Sequence, residues 1–382
     1  MKLTKKIKKF IQKNSKEKHL KEQYNYKDNS FSLLLFFAAL GILFFHCYPL
    51  YYGPNTNGDF ITRFFSDYGL GKIIVAIFFS VSGFFMAQSI TRTKNSTAFL
   101  VKRVVRIFPS LLFLLLLIAF GIAPLLLKVN YVEYIMTPSY YSDFIFHNLF
   151  LVQNGVGTIG ELFANNPYPY AIIGSLWTLK HTVCTYLIIY ICYQLGFLTQ
   201  KKPMVILYVI CVFLTLMYYF DVLTPLVNRI ESTYWYIGVL SEFGNFIELL
   251  TYFLSGVLLY LYKDTVRYSP TLLVSALIAI VISRYLFLTN VACMFLLPYC
   301  AISVGSIRFN SRFSYLGSLS YPIFLYGFPI QQVIIYLCPN ISLFMYIILS
   351  VLATLFFAII VNELIDKQFQ KLWKKIRFLE ST

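Results

Sequence analysis

Charge is scarce in this 382-residue chain: only 13 % of its residues are Asp, Glu, Lys or Arg, against 58 % hydrophobic and 19 % aromatic. That is too little polar material to cover a water-soluble domain of this size, which excludes a soluble globular enzyme. Acidic residues are the scarcer sign, 16 against 32 basic, and leave a formal net charge of +16. No nucleic-acid-binding motif accompanies that excess, so no nucleic-acid partner is expected; anionic lipid and membrane orientation account for it better. The seven cysteines (Cys47, Cys184, Cys192, Cys211, Cys293, Cys300 and Cys338) are scattered and form no C-x-x-C pair. They read as core residues and support neither a disulfide framework nor a metal site. Repeats and low-complexity tracts are lacking too. The first apolar run is expected to stay in the mature protein, because no small-residue cleavage site follows it.

What the chain does have is long apolar runs. Segments close to the roughly 17 to 20 residues needed to cross a bilayer fall at about 31–51, 69–90, 107–127, 177–198, 204–223, 243–262, 270–288, 290–306, 319–338 and 341–362. The expectation is an all-α, polytopic membrane bundle of about ten transmembrane helices. With the N-terminus in the cytoplasm, only Arg63, Lys72, Lys128, Lys180, Arg229 and Arg284 of the 32 basic residues fall in or near outer segments. This positive-inside skew puts both termini on the cytoplasmic side. The chain then divides into a basic N-terminal segment (1–30), one membrane domain (31–362) and a basic tail (363–382), with no appended soluble domain expected.

Residues 1–14 set Leu3, Ile7, Phe10 and Ile11 on one helical face among lysines. Either a helix lying on the inner leaflet or a disordered basic tail fits them. The longest outer segment, about 128–174, carries Tyr131, Tyr134, Tyr140, Tyr141, Tyr168 and Tyr170 with Asn165, Asn166 and Pro167. Rings stack on sugar faces and amides bond hydroxyls, so a polyhydroxylated acceptor suits it. An interfacial aromatic belt suits it equally.

Few residues in the spans carry chemistry. His46 lies about fifteen residues into the first helix, roughly 20 Å deep at about 1.5 Å per residue. A histidine at that depth is a functional candidate, here as general base toward a hydroxyl; a ring bonded to a neighbouring backbone carbonyl is the plain alternative. Lys102, Arg103 and Arg106 stand at the mouth of the third run, where i, i+3 spacing turns both arginines to one face. There they can chelate phosphates with help from the helix dipole, or simply set topology. Pro109 fits the opening of that helix. Phe78 to Phe84 includes Ser80, Ser82 and Gly83, small residues that admit a neighbouring helix or a thin ligand. Glu248, a lone carboxylate in a span, is either functional or paired with a basic group near the outer rim.

In this order the pieces AALGILFFH (Ala38–His46), FFSVSGF (Phe78–Phe84), RVVRIFP (Arg103–Pro109), GSLWTL (Gly174–Leu179), YFLSGVLLY (Tyr252–Tyr260) and LGSLSYPIFLYGFPIQQ (Leu316–Gln332) resemble the acyltransferase-3 family of integral membrane O-acyltransferases. The resemblance covers about residues 31–362. It implies acyl transfer across the bacterial cytoplasmic membrane, from cytoplasmic acyl-CoA (acetyl-CoA foremost) to a hydroxyl of an envelope glycan or its lipid-linked precursor. By resemblance His46 is catalytic, Arg103 and Arg106 with Lys102 bind the CoA phosphates, and Phe78–Gly83 with Ser82 lines the donor path. A phosphopantetheine arm matches the depth of His46. Two positions depart from the family: its usual arginine eleven residues before the histidine is Leu35 here, and its usual glutamate after S-L-W-T-L is Thr182. Lys180, His181 and Glu248 are the candidates to compensate. The departures keep open a second class of function, a non-catalytic member that translocates a small anion or a lipid-linked intermediate. The acyl group, the sugar and the oligomeric state are not legible.

Overall fold

The computed structural model describes residues 18–56, 58–65, 68–93, 96–151, 158–234, 240–308 and 313–379. The expected helical face of Leu3, Ile7, Phe10 and Ile11 lies outside them. Apolar solvent leaves the backbone no partner but itself, and helices satisfy it segment by segment. Helices accordingly occupy all ten apolar runs: α1 (Phe31–Tyr52), α2 (Leu70–Arg92), α3 (Ser96–Leu127), α4 (Leu176–Gln194), α5 (Lys202–Tyr219), α6 (Phe243–Leu261), α7 (Pro270–Leu286), α8 (Thr289–Gly305), α9 (Ser314–Leu337) and α10 (Leu343–Trp373). Among the described residues, α1, α2, α3, α5, α6 and α10 are both long and apolar enough to cross a membrane, so the chain is a multi-pass membrane protein. α7 and α8 are apolar but shorter. α4 and α9 are long but carry buried polar side chains, Lys180 and His181 in one, Gln331 and Gln332 in the other. The strands are two residues each, β1 (Lys18–His19) and β2 (Arg267–Tyr268), paired antiparallel.

The closest crossing is α2 on α6. A Cβ placed on Gly83 would collide with the Phe253 carbonyl oxygen, and one on Gly256 with the Ser80 carbonyl oxygen. The two glycines thus let backbone touch backbone, the way helices associate where lipid gives no hydrophobic drive. α5 joins α6 through Thr215 and Thr251, whose buried hydroxyls lie 2.9 Å apart. α9 is held against α1 by buried Gln331, which donates to the Leu43 carbonyl at 2.8 Å and to Cys47 Sγ at 2.9 Å.

Two expectations change here. α3 begins at Ser96, well before the apolar run at 107, because Ala98 and Phe99 face the core and keep the polar stretch amphipathic and helical. Arg103 and Arg106 therefore stand beyond the first turn, where the dipole has faded, and Pro109 is interior to the helix. The 128–174 segment expected to be outer, meanwhile, is largely built structure among its described residues, with short helices at Tyr131–Met136 and Ser142–Phe150. Tyr134 is buried and donates to the Ala119 carbonyl at 2.8 Å. Asn166 donates to Gln332 Oε1 at 2.7 Å, and Gln332 donates to the Tyr168 and Ala171 carbonyls at 2.8 and 2.7 Å. Those amides stitch the segment to α9 rather than wait for a sugar.

Candidate functional site

Two cavities lie along α2. The larger, about 1060 Å³, is lined by cations from three places: Lys27 before α1, Arg92 at the end of α2, and Lys102, Arg103 and Arg106 on α3. Phe78, Phe79 and Ser82 line it as well, whereas Gly83 is turned to the α6 crossing. The i, i+3 spacing thus places both arginines on the cavity side, and the four binding residues expected from sequence (Lys102, Arg103, Arg106, Ser82) share one space. Arg103 Nη2 donates to Ser89 Oγ at 3.0 Å, and its guanidinium lies over the Phe99 and Tyr186 rings, 5.3 and 6.0 Å from their centroids. Ser82 Oγ donates to the Tyr186 hydroxyl at 3.2 Å. Such aromatic and hydroxyl contacts hold a guanidinium without neutralising it, which leaves its charge for an anion.

The smaller cavity, about 160 Å³, holds His46 with Lys72, Ser175, Trp177, Asn245 and Glu248. The imidazole packs edge-on against Phe328, centroids 5.2 Å apart, and no hydrogen bond to either ring nitrogen occurs among the described residues. A carbonyl-bonded structural histidine is therefore not what stands here. Glu248 is buried, 7 % exposed, and the nearby cation acting on it is Lys72. Tyr252, also in the wall, shares a 2.6 Å hydrogen bond with the Tyr68 hydroxyl.

Val75, Thr178 and Phe324 line both cavities, so the two spaces meet at those side chains. They open toward opposite ends of α2. Lys72 and Asn245 are exposed at one, Arg92 at the other, and Lys72 and Arg92 are separated by about 30 Å at about 1.5 Å per residue.

Leu35 and Thr182 both line the larger cavity, so the two departures from the family pattern fall in one place. Of the three candidates to compensate for them, two are engaged elsewhere. Lys180 Nζ lies 3.2 Å and His181 Nε2 3.9 Å from Glu242 Oε2, and His181 Nδ1 bonds the Trp177 carbonyl at 2.6 Å. Neither lines either of these two cavities. Burial pushes the Glu242 carboxyl up from the ordinary carboxylate value, and the Lys180 charge opposes it. Glu248, the third, is in the His46 cavity.

Several residues here escaped the sequence. Asp366, on α10, lines the arginine cavity, accepts a hydrogen bond from Ser110 Oγ and is near Arg106. Its signal was weaker than that of Glu248, because it lies just past the last apolar run, in the segment read as a basic tail. Tyr186 had none, being one among 31 tyrosines, and Tyr252 was marked only as the first residue of the YFLSGVLLY piece. Lys72 was visible only as one of the six basic residues that the positive-inside count left to expected outer segments.

No solved structure matches this chain. An O-acetyl transferase from Shigella phage Sf6 is 25 % identical over 365 residues, covering 90 % of this chain and 96 % of the relative. Nodulation protein 10 of Rhizobium leguminosarum bv. viciae is 41 % identical over 85 residues, 22 % of each chain. The acyltransferase-domain family matches residues 28–363, most of the helical bundle with the whole lining of the smaller cavity and all of the larger one's except Tyr26, Lys27, Asp366, Gln370 and Trp373. The chain belongs to the acyltransferase-3 family, and it is an acyltransferase by that membership.

Proposed function

We propose that this protein moves an acyl group, acetyl foremost, from cytoplasmic acyl-CoA to a hydroxyl of an envelope glycan or its lipid-linked precursor on the outer side of a bacterial cytoplasmic membrane. The observation that carries this reading is the pair of cavities, cationic and histidine-bearing, opening at opposite ends of α2 and meeting at Val75, Thr178 and Phe324. In it all ten helices cross, with α7 and α8 as short spans, and both termini are cytoplasmic, which puts the arginine cavity inside and the His46 cavity outside.

The donor's phosphates bind Arg103, Arg106 and Lys102, and its arm runs past Phe78 and Ser82 toward Phe324. Charge-assisted contacts of this kind are each worth about 1.5–3 kcal/mol. His46 then takes the proton of the acceptor hydroxyl as its oxygen attacks the thioester carbonyl. The C–O bond forms, the C–S bond breaks, and the imidazolium returns the proton to the departing CoA thiolate. In the variant route His46 carries the acyl group transiently.

Free CoA release from acetyl-CoA by the purified chain, with and without envelope glycan, tests the reading. Turnover that disappears in His46→Ala and in Arg103→Ala/Arg106→Ala supports it. Absence of both turnover and acetyl-CoA binding overturns it. A second reading, a non-catalytic member passing a small anion or lipid-linked intermediate, is favoured by Leu35 and Thr182, which leave the cationic cavity without the family's arginine and glutamate. A His46→Ala chain that keeps its cellular effect would select that one.

A further inference from the structure

The acceptor needs a seat within reach of His46, and the outer segment whose amides suited sugars spends Asn166 on Gln332 instead. The His46 cavity itself has the missing chemistry. At about 160 Å³ it is smaller than the roughly 300–1,000 Å³ of sites that take drug-sized ligands, which limits it to a single small ring. Its wall presents one indole, Trp177, and four polar side chains, Lys72, Ser175, Asn245 and Glu248. Ser175 Oγ is buried there with no hydrogen-bond partner among the described residues, and the residue is 2 % exposed. A buried hydroxyl left without a partner costs about 1–3 kcal/mol, which a bound hydroxyl would recover.

The polar groups are ordered along the entry. Lys72 and Asn245 are exposed at the mouth, Glu248 is buried about one turn further along α6, and His46 borders the same space. The ammonium offers donors, the carboxylate acceptors, and the amide both, the set that vicinal hydroxyls require. Trp177 supplies the apolar surface on which a sugar face stacks. The wall carries one basic side chain, Lys72, and one carboxyl, Glu248, so it has no cluster of cations with which to draw in an acidic sugar.

We propose that Lys72, Asn245, Glu248, Ser175 and Trp177 form the acceptor subsite and select a single uncharged hexose ring, presenting one hydroxyl to His46. This rests on the transferase reading above. Tyr252, four residues beyond Glu248 on α6, also lines the pocket, its hydroxyl bonded to that of Tyr68.

The test uses the full-length chain in detergent with acetyl-CoA and, as acceptors, methyl glucopyranoside, methyl galactopyranoside, methyl mannopyranoside and methyl rhamnopyranoside beside the methyl ester and free acid of glucuronic acid. CoA release and acetyl-CoA binding are both measured. The expected result is acceptor-dependent release with at least one neutral hexoside and weaker release with the free acid. Glu248→Gln and Asn245→Ala raise that acceptor's KM about tenfold with a smaller change in kcat, and Trp177→Phe keeps more acceptor affinity than Trp177→Ala. Unchanged acceptor KM in Glu248→Gln and Asn245→Ala, a preference for the free acid, or no acceptance of any hexoside by a chain that binds acetyl-CoA overturns the subsite and leaves the donor reading standing. Failure to bind acetyl-CoA at all falls on the transferase reading itself.

Discussion

The two cavities differ by more than sixfold in volume, about 1060 against about 160 Å³, and their polar groups differ in kind. In the larger, cations predominate and Asp366 is the carboxylate beside Arg106. In the smaller, there is one basic side chain, Lys72, and one carboxyl, Glu248, among otherwise uncharged residue types and His46. A cationic space of that size suits a bulky polyanion held by its charges. A space the size of one ring suits a group held by shape and hydrogen bonds. The binding of the first should weaken with salt, and that of the second should not.

The largest effect expected is in the small cavity. His46→Ala should cut acyl transfer by about 10²–10⁴-fold, the usual yield of a positioned general base, while acetyl-CoA binding measured by calorimetry is retained. Loss of binding along with turnover would erase the distinction between the two spaces. Next, Arg103→Ala/Arg106→Ala should raise the donor KM by roughly a hundredfold or more, as two charge-assisted contacts of about 1.5–3 kcal/mol each imply at about 1.4 kcal/mol per tenfold. The acceptor KM should stay as it was, and the wild-type donor KM should rise with ionic strength while that of the double variant rises less.

Smaller effects test the frame that holds both. Gly83→Ala drives a methyl group into the Phe253 carbonyl. Overpacking of this sort costs about 1–3 kcal/mol, so the purified variant should melt several degrees lower. Gly121→Ala, where the nearest atom is a flexible Leu117 methyl 3.4 Å away, should melt like the wild type. Equal melting of the two would deny the backbone contact between α2 and α6. Smallest of all, Tyr68→Phe removes one buried hydrogen bond to Tyr252, worth about 1 kcal/mol, and should lower the melting temperature slightly without altering the donor KM.

The larger cavity was the more legible in the sequence, for a physical reason. Arg103 and Arg106 are neighbours by helical period, so a local pattern reveals that they share a face. Helix existence was legible in the same way, through apolar run length. The start of α3 was not, because the helix continues through polar residues that hydropathy alone discards and that Ala98 and Phe99 anchor to the core. The smaller cavity collects His46 from α1, Lys72 from α2, Trp177 from α4 and Glu248 from α6. Each of those could be singled out only as an oddity in its own run; nothing local says that they meet. The same limit hid the partner of Asn166, which is Gln332 on α9.

The seam between the cavities, Val75, Thr178 and Phe324, has a consequence for the membrane as a whole. Two wet vestibules at opposite faces would short-circuit the ion gradient if a continuous file of water joined them. An aliphatic group, a phenyl ring and one hydroxyl give such a file almost nothing to bond to, and narrow apolar necks exclude water for that reason. On the proposed transfer, a thin thioester arm lying in the neck would fill it and so act as its own stopper. The bilayer would then keep its electrical insulation while an acyl group crosses it.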